Sequence, residues 1–273
     1  MGTNMEGRRA RQVFWCLLIL LGVNVTQIVV YTLVHLCAGG RLENENIWIS
    51  LISAVINGGI CLLVYGKLHG KEPASGASGD ENILWKYGRN ILRWLVILVG
   101  GCAFCVVVTF GLTAIETLCP QWFTAYNAAM EKMDIRTSLV TIFYALLIAP
   151  IAEECIFRGA LFSAFSQESG FWFANTVQAF CFGLYHGNPI QGVYAFLMGI
   201  ILGYVYRYGK GLAASIWFHV AFNGTTWMMN RVLPAEMVVT WQMFAIVIPV
   251  GGILCVCALW MLQRMHGKGG GAA

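Results

Sequence analysis

Two adjacent glutamates and an arginine, Glu153-Glu154-Cys155-Ile156-Phe157-Arg158, stand inside an otherwise apolar stretch. Leu146 to Ile151 precede them and Gly159 to Phe162 follow, all without charge. An ionisable group at bilayer depth costs several kcal/mol, and chains keep such groups for pathways, proton relays or catalysis. Read as an α-helix, Glu154 precedes Arg158 by four residues, the favoured order for a helical ion pair. Glu153 is turned about 100° away from Glu154 and has no equivalent local partner. A lone carboxylate held away from bulk water suits a general base. The spacing therefore divides the labour, with Glu154 and Arg158 as support and Glu153 as the reactive group. The competing reading joins all three in a structural salt-bridge cluster.

Four further residues extend the set. His186 follows Phe182 by one helical turn, and Asn223 follows His219 by one turn, so each pair shares a face. Glu153, His186, His219 and Asn223 could together activate a water and stabilise an oxyanion, a task that suits His and Asn donors. His186, His219 and Glu153 could alternatively hold Zn²⁺, although the zinc helix motif HExxH is absent. The other polar residues in apolar runs read as interhelical hydrogen-bonding groups. They are Asn24, Thr26, Gln27, Asn57, Asn175 and Gln178. His35, His69 and His266 fall near span ends or in the tail and carry no catalytic expectation.

The elements that must position these groups are membrane spans. The 273 residues are 58% hydrophobic and 11% charged, against about 25% charged in a soluble domain. Repeated apolar runs of about 20 residues account for the deficit. Eight spans are expected, near 13–37, 47–66, 91–115, 137–165, 171–187, 190–206, 211–230 and 237–262. The first reads as a retained span, being too long for the apolar part of a signal peptide. The fourth carries the acidic motif and is long for one crossing, so it tilts or projects. A polar linker spans 67–90, with a flexible core at Pro73 to Asp80. The segment from Glu116 to Arg136 suits an interfacial helix or loop. Asn188-Pro189 turns the chain after the fifth span. The end from Gly267 to Ala273 reads as flexible.

Twelve of the 17 Lys and Arg fall on one side of this arrangement, four on the other, and Arg158 within a span. The positive-inside rule then puts both termini in the cytoplasm. The net charge of +4 lies between spans and gives no reason to expect nucleic-acid binding. The ten cysteines fall mostly within apolar runs and read as small buried hydrophobes, Cys102 and Cys105 included despite their CxxC spacing. Gly183, Gly192, Gly199 and Gly203 allow close helix approach. The Gly199–Gly203 GxxxG is expected to pack within the bundle.

At these residues the sequence resembles the CPBP family, the CAAX-protease and bacteriocin-processing group also called Abi. The family pattern is EExxxR, FxxxH, then HxxxN or HxxxD. It is met here by Glu153-Glu154 with Arg158, Phe182 with His186, and His219 with Asn223. The resemblance covers roughly 137–230, and the flanking spans match only as membrane helices. It implies an all-α, multi-pass intramembrane endopeptidase, similar to the Ras-converting CAAX endopeptidase. The implied domains are 1–136 (helices 1–3 with the linker), 137–230 (the catalytic core) and 231–273 (helix 8 and the tail). By the resemblance Glu153 activates the water with help from His186. His219 and Asn223 stabilise the oxyanion, and Glu154, Arg158 and Phe182 support the site or place substrate. The cofactor stays open, either none obligatory or a divalent metal such as Zn²⁺. The implied partners are the bilayer and a membrane-associated protein or peptide, prenylated or not. Leader peptides, bacteriocins and pheromones are the other substrate classes. Two other functions compete: a non-catalytic immunity or regulatory protein that binds a membrane partner, and a proton-coupled transporter. No internal repeat supports the transporter.

Overall fold

A computed structural model describes residues 2–38, 45–69, 83–132, 138–167, 169–233 and 240–267. The core of the polar linker and the tail beyond 267 lie outside the described residues. The described chain is all α, without a strand. Helices α1 (Gly2–Ala38), α2 (Glu45–His69) and α3 (Ile83–Leu118) open it. A short helix α4 (Thr124–Lys132) follows a 3₁₀ turn at Pro120–Trp122. Then come α5 (Leu139–Ser166), α6 (Phe171–Tyr185), α7 (Pro189–Tyr208), α8 (Leu212–Val232) and α9 (Trp241–Gly267).

Each of the eight expected spans is met by a helix, and α4 occupies the expected interfacial segment. Among the described residues six helices are long and apolar enough to cross a membrane: α1, α2, α3, α5, α7 and α9. Helix α6 has only 15 residues, and α8 is not among the six. Both carry candidate site residues, and both pack against other helices of the bundle. The chain is a multi-pass integral membrane protein. Its outward apolar rows fit that medium. Leu21 and Ile28 on α1 and Ile246 and Ile253 on α9 are each more than 60% exposed. Such rows would be a liability in water.

Helix α3 packs along α9 and α8, α6 along α7, and α2 along α1 and α5. The α6–α7 contact is close because glycines line it. A side chain at Gly199 would meet the Ala179 backbone at 2.8 Å, and one at Gly203 would collide with Asn175. The GxxxG thus faces α6 inside the bundle. Asn175 and Gln178 reinforce the contact by donating to the Ile200 and Gly199 carbonyls at 3.0 and 2.8 Å. Cys105 is buried, and its sulfur lies 3.1 Å from Thr226 Oγ1, across the α3–α8 contact.

Helix α5 departs from the α-helix expected of it. Two stretches, Tyr144–Ile148 and Cys155–Phe162, are π-helical, on either side of an α-turn at Ala149–Glu154. Such insertions are rare and often sit at functional sites.

Candidate active site

The α-turn between the two π stretches carries Glu153 and Glu154. Arg158 sits one turn on and donates from Nη1 to Glu154 Oε1 at 2.7 Å, both side chains being sealed from solvent. Its Nη2 donates to the Gly199 carbonyl of α7 at 3.2 Å. The guanidinium also lies over the Phe182 ring, 4.6 Å from its centre. This satisfies much of a buried cation that nothing else could keep out of water. The same Glu154 oxygen faces His219 Nδ1 at 2.9 Å. Glu154 therefore joins α5 to α8 as well as to Arg158.

Glu153 was expected to lack a partner, and locally it does. Across the bundle, however, His219 Nε2 stands 3.6 Å from Glu153 Oε2. That is too long for a good hydrogen bond but within ion-pair reach. One buried imidazole thus lies between two adjacent carboxylates. Glu154 is fully enclosed, whereas Glu153 keeps 16% of its side chain exposed.

His186 owes its position to the end of α6. It is the last residue with helical geometry, and Gly187 after it takes φ +65°, the left-handed stop that glycine adopts without steric penalty. Asn188 then caps α7, its Oδ1 accepting from the Ile190 and Gln191 amides at 3.0 and 3.2 Å, with Pro189 opening the helix. His186 Nδ1 lies 2.8 Å from the Phe182 carbonyl. A carbonyl only accepts, so Nδ1 carries the hydrogen, and a neutral ring keeps Nε2 as an acceptor. Phe182 is the hub, with its ring 4.8 Å from that of His186 and 6.0 Å from that of His219. Phe157, also buried, meets it edge-on at 5.0 Å.

Asn223 is fixed by the irregularity of α5. In the first π stretch the Ala149 amide donates five residues back, to Tyr144. The next bond in that register would join residue 150 to the Ala145 carbonyl. Residue 150 is Pro and has no N–H. Asn223 Nδ2 supplies the donor instead, at 2.9 Å. At the second π stretch the Ser163 hydroxyl does the same for the Arg158 carbonyl, at 3.0 Å.

The structure therefore brings Glu153, Glu154, Arg158, Phe182 and His219 into one connected group. His186 joins it through Phe182, and Asn223 lies one turn beyond His219. The alternative metal set fits less well. Among the described residues no three His, Cys, Asp or Glu side chains gather closely enough to hold a metal ion. His186, His219 and Glu153 do not form a ligand group.

Glu153 also opens into a polar cavity that sequence reasoning missed. The cavity has a volume of about 30 Å³ and is shared with Gln27 of α1, Ser53 and Asn57 of α2, Tyr144 of α5 and Tyr185 of α6. In the sequence Gln27 and Asn57 read as helix-bridging groups, and Ser50, Ser53 and Tyr144 carry no expectation. A signal was present, since Ser50, Ser53 and Asn57 recur at helical spacing and share one face of α2.

Comparison with known proteins agrees with the motif pattern. Residues 135–225 match the family model described as "Type II CAAX prenyl endopeptidase Rce1-like". A curated protein of Bacillus subtilis (strain 168), named "Putative membrane peptidase YdiL", is 29% identical over 77 residues. The match spans 28% of this chain and 32% of that relative. No solved structure gives a significant match. Over residues 135–225, about a third of its length, this chain is thus similar to Rce1-like CAAX prenyl endopeptidases.

Proposed function

We propose that the chain is an intramembrane endopeptidase that hydrolyses a peptide bond in a membrane-associated protein or peptide. Its catalytic core is residues 137–230. The observation that carries this reading is the contrast between the paired carboxylates. Glu154 is sealed and bonded to Arg158 and His219, while Glu153 opens into a polar cavity beside the same imidazole. One carboxylate is structural support and the other is free to take a proton.

Glu153 accepts a proton from water, and the oxygen attacks the scissile carbonyl carbon. His186 Nε2, left as an acceptor by the bond at Nδ1, helps orient that water. The carbonyl becomes an oxyanion and needs donors. His219 protonated on both nitrogens gives Nδ1–H to Glu154 and turns Nε2–H to the oxyanion. Asn223 spends one amide hydrogen on Ala145 and keeps its second for the same task. The C–N bond then breaks as Glu153 returns its proton to the leaving nitrogen. Glu154, Arg158 and Phe182 hold His219 and the ends of α5 and α6 in place.

The test is cleavage of quenched fluorescent membrane peptides by the purified protein in detergent. Farnesylated CAAX peptides belong in the panel, and Glu153→Ala and His186→Ala are assayed beside the wild type, each with and without chelator. Cleavage by the wild type that both variants lose is the expected result. Normal cleavage by either well-folded variant sinks the mechanism. Loss on chelation with recovery on added zinc assigns the chemistry to a metal instead.

A further inference from the structure

The cavity beside Glu153 has a content that its size and lining select. About 30 Å³ is enough for roughly two water molecules, each needing two to four polar partners. It is too small for a length of peptide. Its wall is polar on every helix that contributes: an amide on α1, a hydroxyl and an amide on α2, and phenols on α5 and α6. Ser53 is only 5% exposed, yet its hydroxyl finds no hydrogen-bond partner among the described residues. Leaving a buried hydroxyl unpaired is unfavourable, and water is the partner that fits.

We propose that this cavity stores the hydrolytic water beside Glu153, with Ser53 and Asn57 of α2 as its positioning residues. The inference rests on the peptidase reading and deepens it. Hydrolysis within an apolar bundle needs water held beside the base, because hydrocarbon supplies none. Ser53 and Asn57 are one turn apart on the face of α2 that meets α5. They line the same cavity as Glu153 and can hold a water against its carboxylate. Helix α2 lies outside the matched region, so the site draws a functional part from the otherwise unassigned N-terminal half.

Two readouts test this, one of them independent of cleavage. Radiolytic hydroxyl labelling in ¹⁸O water reports bound water at Tyr144 and Tyr185, which share the cavity. The informative variants are Ser53→Thr, which keeps the hydroxyl, Ser53→Val, its isostere without one, and Asn57→Leu. Labelling is expected to persist in Ser53→Thr and to disappear in the other two. On any peptide the wild type cuts, Ser53→Val and Asn57→Leu should each lower kcat about tenfold, the size of one good hydrogen bond, with KM little changed. Equal labelling in all four proteins overturns the proposal. A raised KM with unchanged kcat and labelling also overturns it, because the cavity then receives the peptide. If labelling follows the expected pattern but the wild type cuts no peptide, the water site stands and the peptidase reading falls.

Discussion

Replacing Arg158 by Met should destabilise the bundle by about 3–5 kcal/mol, the usual penalty for leaving one member of a buried pair alone. The structure allows that figure to be reached from separate contacts. Arg158 and Glu154 lie on the same helix, and a transmembrane helix keeps its backbone structure in detergent. Their 2.7 Å bond therefore survives in part when the bundle comes apart. What unfolding breaks is the charged hydrogen bond to the Gly199 carbonyl and the contact with the Phe182 ring. The first contributes about 1.5–3 kcal/mol and the second about 2. Glu154→Gln should cost less, since glutamine still offers His219 an acceptor. Combining the two should cost at least about 1 kcal/mol less than their sum, because each single variant strands a charge that the double variant lacks. Glu154 Oε2 and Arg158 Nε carry no hydrogen bond among the described residues, so the double variant should tolerate the loss well. SDS titration followed by tryptophan fluorescence measures all three. Additivity within about 0.5 kcal/mol, or a single-variant effect below that size, refutes the coupled cluster.

Two more expectations follow from other parts of the molecule. Asn223→Ala orphans the Ala145 carbonyl and should cost about 1–3 kcal/mol in the same titration. Adding Pro150→Ala restores a backbone N–H one π-turn on and should recover part of that loss; no recovery would break the link between the proline and Asn223. The split of basic residues predicts that both termini are cytoplasmic. A C-terminal green fluorescent protein fusion in a bacterial host should then fluoresce, and a C-terminal alkaline phosphatase fusion should stay inactive, with the opposite pattern reversing the orientation.

What the sequence made legible was local. Glu154 and Arg158 stand four apart, and the pair forms on helical geometry alone. Gly199 and Gly203 share a face, and that face meets α6. Asn188-Pro189 is a turn signal, and it caps α7. What stayed hidden depends on residues far apart in the chain. Glu153 gained a neighbour in His219, a contact between α5 and α8 that no local spacing encodes. Asn57 and Gln27 look like ordinary interhelical polar groups until α2 is seen to pack on α5 beside Glu153. The π stretches went unforeseen because Pro150 can as well kink or end a helix. Only the Asn223 donor across the bundle makes the carbonyl that Pro150 leaves unpaired tolerable.

The three charges of α5 also impose an order on biogenesis. His219 follows Glu154 by 65 residues. At roughly 5–20 residues per second, α8 leaves the ribosome on the order of 3–13 s after α5. Glu154 and Arg158 can neutralise each other within the newly made helix throughout that interval. Glu153 cannot, because its counterpart does not yet exist. The half-made protein therefore holds one carboxylate in waiting, and the arrival of α8 completes the charge cluster.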